Sequence, residues 1–173
     1  MARNIEIKAR SNDVEFQKYI AARLADRPAE LVEQEDTFFY VTWGRLKLRE
    51  LGDGTGELIE YDRSDSFGPK QSTYSRYVTS EPHSLKTVLG TALGVRAVVK
   101  KRRMLFVAGQ ARIHLDEVIG LGWFVELEIV LRPEQSETEG QVVADRLMSE
   151  LGVGPKDLVA CSYVDLVTQD IGD

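Results

Sequence analysis

The segment RLKLR, residues 45–49, places a cation at every second position and a leucine between each pair of cations. Side chains in a β-strand alternate between its two faces, so this spacing predicts a strand with one cationic and one apolar face. The cations are unexpected in a chain of 173 residues whose formal net charge is −6. Their alignment raises the question of what the cationic face binds.

Four further segments alternate in the same way and carry formal charges in their polar positions. One solvated face is the ordinary interpretation of any single such strand. Five segments with almost only charges, several of them arginines, favour instead a surface built to hold phosphate oxygens, which the arginine fork suits. The further charges are Glu6 and Lys8; Lys101 and Arg103, or Lys100 and Arg102 in the other register; Arg112, His114 and Asp116; and Glu126 and Glu128.

Composition narrows the classes of protein. The acidic net charge argues against non-specific nucleic-acid binding, and no apolar run reaches the length of a membrane span. The N-terminus lacks the apolar region of a signal peptide, and a single cysteine, Cys161, suits the reducing cytoplasm. We expect one cytoplasmic domain over residues 1–173, and the general frequency of twofold assemblies favours a homodimer.

Hydrophobic periodicity predicts an α+β fold. Five strand connections resemble hairpins or short loops, which predicts antiparallel pairing. We expect an eight-stranded antiparallel β-barrel, or tunnel, with a charged lumen and amphipathic helices packed outside. The strands are predicted at 3–9, 34–42, 45–51, 56–63, 71–79, 95–107, 110–117 and 123–132. The helices are predicted at 13–25 after Ser11 and Asn12, at 85–93 after Ser84, at 137–151 with a Ser136–Glu139 capping box, and at 155–167.

A lumen that holds both cations and carboxylates is expensive to desolvate unless a ligand compensates the charges. A polyanion on the cations and a divalent metal on the carboxylates would satisfy both sets. Magnesium prefers oxygen ligands and bridges carboxylates to substrate phosphates. The pattern therefore indicates a phosphate-rich small molecule and a metal ion.

The ordered segments resemble the CYTH superfamily of class IV adenylyl cyclases and thiamine triphosphatases, also called triphosphate tunnel metalloenzymes. NIEIK (4–8) resembles the signature Glu-x-Glu-x-Lys, with Asn4 in place of the first glutamate. The resemblance extends in order along nearly the whole chain. It continues through QEDTFF (34–39), RLKLR, VKKRR (99–103), RIHLDEVIGLGWFVELEIV (112–130) and SYVDLV (162–167).

The resemblance implies a tunnel that acts on triphosphate groups with Mg²⁺ or Mn²⁺. It implies metal ligation by Glu6, Glu126 and Glu128, with Asp116 nearby, and it makes Glu6, Lys8, Glu126 and Glu128 the candidate catalytic set. An amide oxygen at Asn4 can still ligate a metal. The implied phosphate-binding residues are Lys8, Arg45, Lys47, Arg49, Lys101, Arg103 and Arg112. Position in the chain adds Arg63 and Lys70, and His114 is a further candidate if it faces the lumen.

Three functions compete at this point. We favour hydrolysis of a triphosphate, namely inorganic tripolyphosphate, thiamine triphosphate or a nucleoside triphosphate, because the segments contain no identifiable adenine-reading element. The alternative is an adenylyl cyclase that converts ATP to cyclic AMP and pyrophosphate. The third is a barrel that binds a polyphosphate without turning it over, an alternative that Asn4 in place of the first signature glutamate keeps open. A barrel with a purely structural role and no ligand is a further alternative.

Overall fold

The computed structural model describes residues 3–62 and 73–169. Eight strands pair antiparallel in one sheet of order β1-β8-β7-β6-β2-β3-β4-β5, as predicted. The sheet is strongly curled into a tunnel-like half-barrel with β1 and β5 at its two ends. The strands are β1 (Asn4–Arg10), β2 (Glu30–Phe39), β3 (Arg45–Leu51), β4 (Gly56–Asp62), β5 (Thr73–Thr79), β6 (Val95–Ala108), β7 (Ala111–Val118) and β8 (Gly122–Val130).

One strand is displaced from its prediction. The periodicity predicts β2 at 34–42, whereas the strand begins at Glu30 and ends at Phe39. β6 is 14 residues long and offers pairing partners from Leu105, opposite Glu30, to Val95, opposite Phe39. The extra residues at the start of β2 are therefore fixed by a distant strand, which local periodicity does not reveal.

The outer core lies between the apolar faces of β1, β7 and β8 and two helices, α1 (Val14–Leu24) and α3 (Glu137–Glu150). Gly140 allows α3 to lie close to the sheet, because a side chain there would collide with Leu131 and Ile5. The fully buried members of this core include Ala21, Ile113, Leu115, Ile129, Ala144 and Leu151. These two helices cover the outer face of the sheet at β1, β7 and β8.

The capping residues predicted for the starts of two helices are wrong. Asp13, rather than Ser11 or Asn12, caps α1 by accepting from the Phe16 backbone amide. Helix α2 (Pro82–Leu93) begins before Ser84, because proline suits the first helical turn. The predicted capping box of α3 is confirmed, since Ser136 and Glu139 bond each other reciprocally.

The C-terminal segment is not the single helix predicted at 155–167. A 3₁₀ turn (Pro155–Asp157) is followed by extended residues, and then by α4 (Tyr163–Gln169). The extended part bonds the edge of β1, because the Val159 amide donates to the Lys8 carbonyl. This pairing draws the chain along the sheet edge and delivers α4 to the tunnel.

Helix α4 lies on the inner face of the sheet, whereas the prediction places helices outside. Its Tyr163 and Val164 pack with Phe38, Val99 and Phe124 in a second apolar cluster. Phe38 lies on the same strand face as Asp36, and Phe124 lies on the same face as Glu126 and Glu128. Part of the lumen is therefore filled by apolar packing, and the charged cavity occupies the rest.

Candidate functional site

A cavity of about 310 Å³ lies on the inner face of the curled sheet, and every strand contributes to its lining. Arg49, Lys101 and Glu128, which lie far apart in the chain, share it. Among the described residues, six cations line the cavity, namely Lys8, Lys47, Arg49, Arg76, Lys101 and Arg103. Five carboxylates also line it, namely Glu6, Asp36, Glu57, Glu126 and Glu128. The predicted charged lumen is confirmed, and its own charges are nearly balanced.

Asp36 organises the cations of β3. Its carboxylate accepts two hydrogen bonds from Arg49, each at 2.8 Å, and one from Lys47 at 3.0 Å. Burial raises the pKa of Asp36, but the neighbouring charges of Lys47 and Arg49 outweigh it and hold that pKa well below its usual value. Asp36 therefore stays ionised and orients both cations along one wall.

Asp116, on β7, has the same role for the cations of β6. It is fully buried, and both of its oxygens accept hydrogen bonds from Arg103 at 2.7 Å. Lys101 lies 3.5 Å away, and the Tyr163 hydroxyl donates to it at 3.0 Å. Asp116 is not among the described residues that line the cavity. The structure therefore places it behind the cations, as a carboxylate that fixes them.

Glu126 of β8 contacts residues of three other strands, β1, β6 and β7. It pairs with Lys8 at 3.1 Å, lies 3.6 Å from the His114 imidazole, and also bonds Arg103. Burial raises the pKa of Glu126, but Lys8 and Arg103 outweigh it, so the carboxyl stays ionised with a pKa well below the usual value. Burial and the Arg103 charge lower the pKa of His114, which favours its neutral form.

Burial in the cavity lowers the pKa values of two lysines, Lys101 and Lys47. Burial, reinforced by Arg103, lowers the pKa of Lys101 to about 7. Burial lowers the pKa of Lys47 to about 8, although Asp36 opposes the shift. Both side chains therefore titrate near neutrality, and a bound anion would restore their positive charge.

Some predicted residues lie elsewhere. Arg45 pairs with Asp165 of α4 at 3.0 Å, and the Arg112 guanidinium is half exposed beside Glu128 at 3.4 Å. Neither is among the described residues that line the cavity. Arg63 and Lys70 fall outside the described residues. Their phosphate-binding roles stay predictions.

The lining residues that the sequence reasoning missed include Asp36, Glu57 and Tyr163. Asp36 shares a face with Phe38 in QEDTFF, so alternation could have found it. Glu57, which pairs with Arg76 at 3.1 Å, lies in a strand of mixed polarity that gave no signal. Tyr163 lies on a helix, where the strand period does not apply.

A divalent metal fits part of the predicted ligand set. Glu6 and Glu128 stand directly opposite each other in the β1–β8 register, and both line the cavity. The Asn4 amide nitrogen donates to Glu128 at 2.6 Å, and its buried amide oxygen has no hydrogen-bond partner among the described residues. Two carboxylates and an amide oxygen fit Mg²⁺, which completes its shell with water and substrate oxygens.

The other two predicted ligands, Asp116 and Glu126, are engaged with cations in this structure, and their metal-binding role stays a prediction. Within residues 3–62 and 73–169, no group of three or more His, Cys, Asp or Glu side chains is arranged to hold a metal. Substrate oxygens would therefore have to supply much of the coordination shell.

The order of the charged strands agrees with one family. The model of the CYTH domain matches residues 2–163. The chain belongs to the CYTH family. Members of this family are typically enzymes, bind triphosphate substrates and generally use divalent metals. No curated protein is significantly similar to this CYTH protein in sequence.

Solved structures share the fold of this CYTH protein. The PH1012 protein of Pyrococcus horikoshii is 21% identical, with a TM-score of 0.82 over 94% of this chain and 98% of that one. A candidate adenylate cyclase of Vibrio parahaemolyticus is 20% identical, with a TM-score of 0.71 over 96% and 98% of the two chains.

A third structure comes from Hippeastrum. This candidate adenylyl cyclase, HpAC1, is reported to have a dominant triphosphatase activity. It is 14% identical, with a TM-score of 0.67 over 98% of this chain and 96% of that one. Identities this low establish the fold of the CYTH domain and leave its reaction to be argued from the cavity. Among the described residues, the helices are too short or too polar to cross a membrane.

Proposed function

We propose that this CYTH domain binds a linear triphosphate in its cavity and hydrolyses it with a divalent metal. The observation that carries the proposal is the convergence of Lys8, Lys47, Arg49, Lys101 and Arg103, from three strands, on one cavity. Two carboxylates, Glu6 and Glu128, face each other in the same cavity. Charge-assisted hydrogen bonds from a preorganised set of cations are the main means of stabilising phosphoryl transfer.

Charge balance supports the metal requirement. The six cations and five carboxylates that line the described cavity nearly cancel. A triphosphate adds several negative charges, so its binding needs further positive charge beyond that of the protein. Glu6, Glu128 and Asn4 would hold the metal. When bound, Mg²⁺ or Mn²⁺ polarises the phosphoryl group and supplies that charge.

The residues of the chain divide into two groups. Lys8, Arg49 and Lys101 contact and neutralise phosphate oxygens in the proposal. Asp36 and Asp116 keep those cations in place from behind, so the site needs little rearrangement when the substrate enters. A water molecule attacks the terminal phosphorus, the bond to the bridging oxygen breaks, and orthophosphate and the shortened phosphate chain leave.

Adenylyl cyclase activity is the second candidate. Tyr61 and Tyr74 oppose each other in the β4–β5 register, and both line the cavity. Their rings offer a flat apolar surface of the kind that accepts a nucleobase. In that reaction the ribose 3′-hydroxyl attacks the α-phosphorus of ATP and releases pyrophosphate.

A substrate panel tests the proposal. The protein is incubated with inorganic tripolyphosphate, thiamine triphosphate and ATP, each with Mg²⁺, with Mn²⁺ and with a chelator. Metal-dependent release of orthophosphate supports hydrolysis, whereas cyclic AMP as the main product from ATP supports cyclisation. Arg49→Gln should lose activity and the surface control Arg146→Gln should keep it. Binding without turnover would instead make the protein a non-catalytic receptor.

A further inference from the structure

Tyr163 occupies an unusual position for the first residue of a helix. It is buried, lines the cavity, and lies on the inner face of the sheet at the start of α4. The Lys8 ammonium lies 3.8 Å from the centre of its ring, and the Lys101 ammonium lies 5.0 Å away. Both distances are within the range of a cation–π interaction.

The two lysines belong to strands that are not neighbours. Lys8 is on β1 and Lys101 is on β6, and β8 and β7 lie between them in the sheet. Backbone pairing therefore does not fix the distance between their ammonium groups. Tyr163 contacts both, so its ring is a direct physical connection between the two lysines.

Two contacts hold the Tyr163 ring in place, a hydrogen bond from its hydroxyl and an edge-on aromatic contact. Its hydroxyl donates to Asp116 at 3.0 Å, and Phe124 packs edge-on with the ring centres 5.0 Å apart and the planes at 70°. Burial, followed by Glu126 and Asp116, raises the pKa of Tyr163, so the hydroxyl stays protonated and remains a donor. The ring is thus held in an orientation in which the lysines lie near its faces, which carry negative potential.

We propose that Tyr163 is a positioning residue whose ring holds the ammonium groups of Lys8 and Lys101 in place for a bound triphosphate. This inference rests on the proposed function, because it concerns how the same cavity holds its substrate. The ring stabilises two charged side chains that burial alone would disfavour. It also limits their rotamers before the substrate arrives, which lowers the entropic cost of binding.

Substitutions at one position separate the ring from the hydroxyl. Tyr163→Phe keeps the ring, and Tyr163→Leu removes it. A trifluorinated phenylalanine at position 163 keeps the shape of the ring and weakens the negative potential of its face, so it decides the matter even if Tyr163→Leu fails to fold. Phe106→Leu is the matched control, because Phe106 is a buried ring of the outer core.

Calorimetric titration with inorganic tripolyphosphate and Mg²⁺ gives the affinity, and steady-state kinetics give KM and kcat. We expect Tyr163→Phe to stay within about threefold of wild type, and Tyr163→Leu and the fluorinated variant to bind about tenfold more weakly, with a higher KM. Phe106→Leu should lose thermal stability without losing affinity.

Two outcomes overturn the inference in distinguishable ways. Unchanged affinity in the fluorinated variant, with wild-type binding intact, overturns the role of Tyr163 alone. Absence of binding and turnover in the wild type overturns the proposed function and the inference with it.

Discussion

Glu6 and Glu128 stand directly opposite each other on β1 and β8, and both face the cavity. Like charges at opposed positions of a sheet repel each other, so this pair favours an added cation. Asn4 donates to Glu128 at 2.6 Å and relieves part of that repulsion. The proposed metal site and the proposed phosphate site would therefore be neighbours within one cavity.

Glu128→Gln and Glu6→Gln should each strengthen metal-free binding of tripolyphosphate and weaken metal-stimulated turnover. Each removes a negative charge, so metal-free affinity for tripolyphosphate should rise several-fold, because repulsion of the anion falls. Metal-stimulated turnover should fall at least about tenfold, because a ligand of the metal is weakened. Calorimetry with a chelator present and phosphate release with Mg²⁺ measure the two effects.

Asn4→Glu is the complementary variant, because it adds a negative charge to the proposed metal site instead of removing one. A third carboxylate should lower the Mg²⁺ concentration needed for half-maximal activity and weaken metal-free binding of the anion. The assignment of Glu6, Glu128 and Asn4 to the metal is wrong if, in each variant, metal-free anion affinity and metal-stimulated turnover both rise or both fall.

Binding of the anion should weaken as pH rises. Burial lowers the pKa of Lys101 to about 7 and that of Lys47 to about 8 in the ligand-free protein. A bound polyanion raises both pKa values because it favours the charged forms. Binding therefore takes up protons once pH exceeds about 7, and metal-free affinity for tripolyphosphate should fall between about pH 7 and pH 9.

Lys101→Arg is the control for this pH dependence. Arginine stays protonated across the range, so the slope of affinity against pH should become shallower. Ionisation of the ligand itself is common to both proteins and cancels in the comparison. Calorimetry in two buffers of different ionisation enthalpy measures the proton uptake, and equal uptake by both proteins would contradict the role of Lys101.

Asp116→Asn should destabilise the fold strongly. The substitution removes the charge that holds Arg103 and Lys101, leaving buried cations poorly compensated. Breaking one side of a buried ion pair reduces the free energy of unfolding by about 3–5 kcal/mol. Urea denaturation measures the loss. Glu150→Gln, which breaks an exposed helical pair with Arg146, is the control and should change stability little.

Arg45 and Arg49 both fit the alternating pattern of β3, but of the two only Arg49 lines the cavity, so their variants test whether cavity contact decides ligand binding. Arg49 lines the cavity, whereas Arg45 pairs with Asp165 of α4. Arg49→Gln should weaken tripolyphosphate binding about tenfold or more, because a charge-assisted bond is lost. Arg45→Gln should have a clearly smaller effect on affinity. Equal losses would mean that both arginines reach the ligand, as the alternation alone predicts.

Alternation of charge and leucine was sufficient to predict the strands and the charged lumen. It assigns Lys47 and Arg49 to one face, and the fold keeps them there, because a register error of one residue would move both cations to the face on which Leu48 is buried. The pairing of β1 with β8 joins opposite ends of the chain. No local pattern specifies such a contact, although the resemblance to a family does.

The parts that the sequence did not predict depend on tertiary contacts. Asp116 carries the right charge in the right alternation, but sequence alone does not reveal that it is fully buried and accepts two hydrogen bonds from Arg103. Tyr163 became part of the cavity because residues 158 and 159 follow the edge of β1 and direct α4 inward. These placements follow from packing between distant segments.

Titration of the wild-type protein with inorganic tripolyphosphate, using orthophosphate as the control ligand, tests the central claim most directly. The account predicts saturable one-to-one binding of tripolyphosphate that is strengthened by Mg²⁺, together with much weaker binding of orthophosphate, which spans fewer of the cations. A folded protein that shows no heat of binding and no thermal stabilisation by millimolar tripolyphosphate and Mg²⁺ would contradict it.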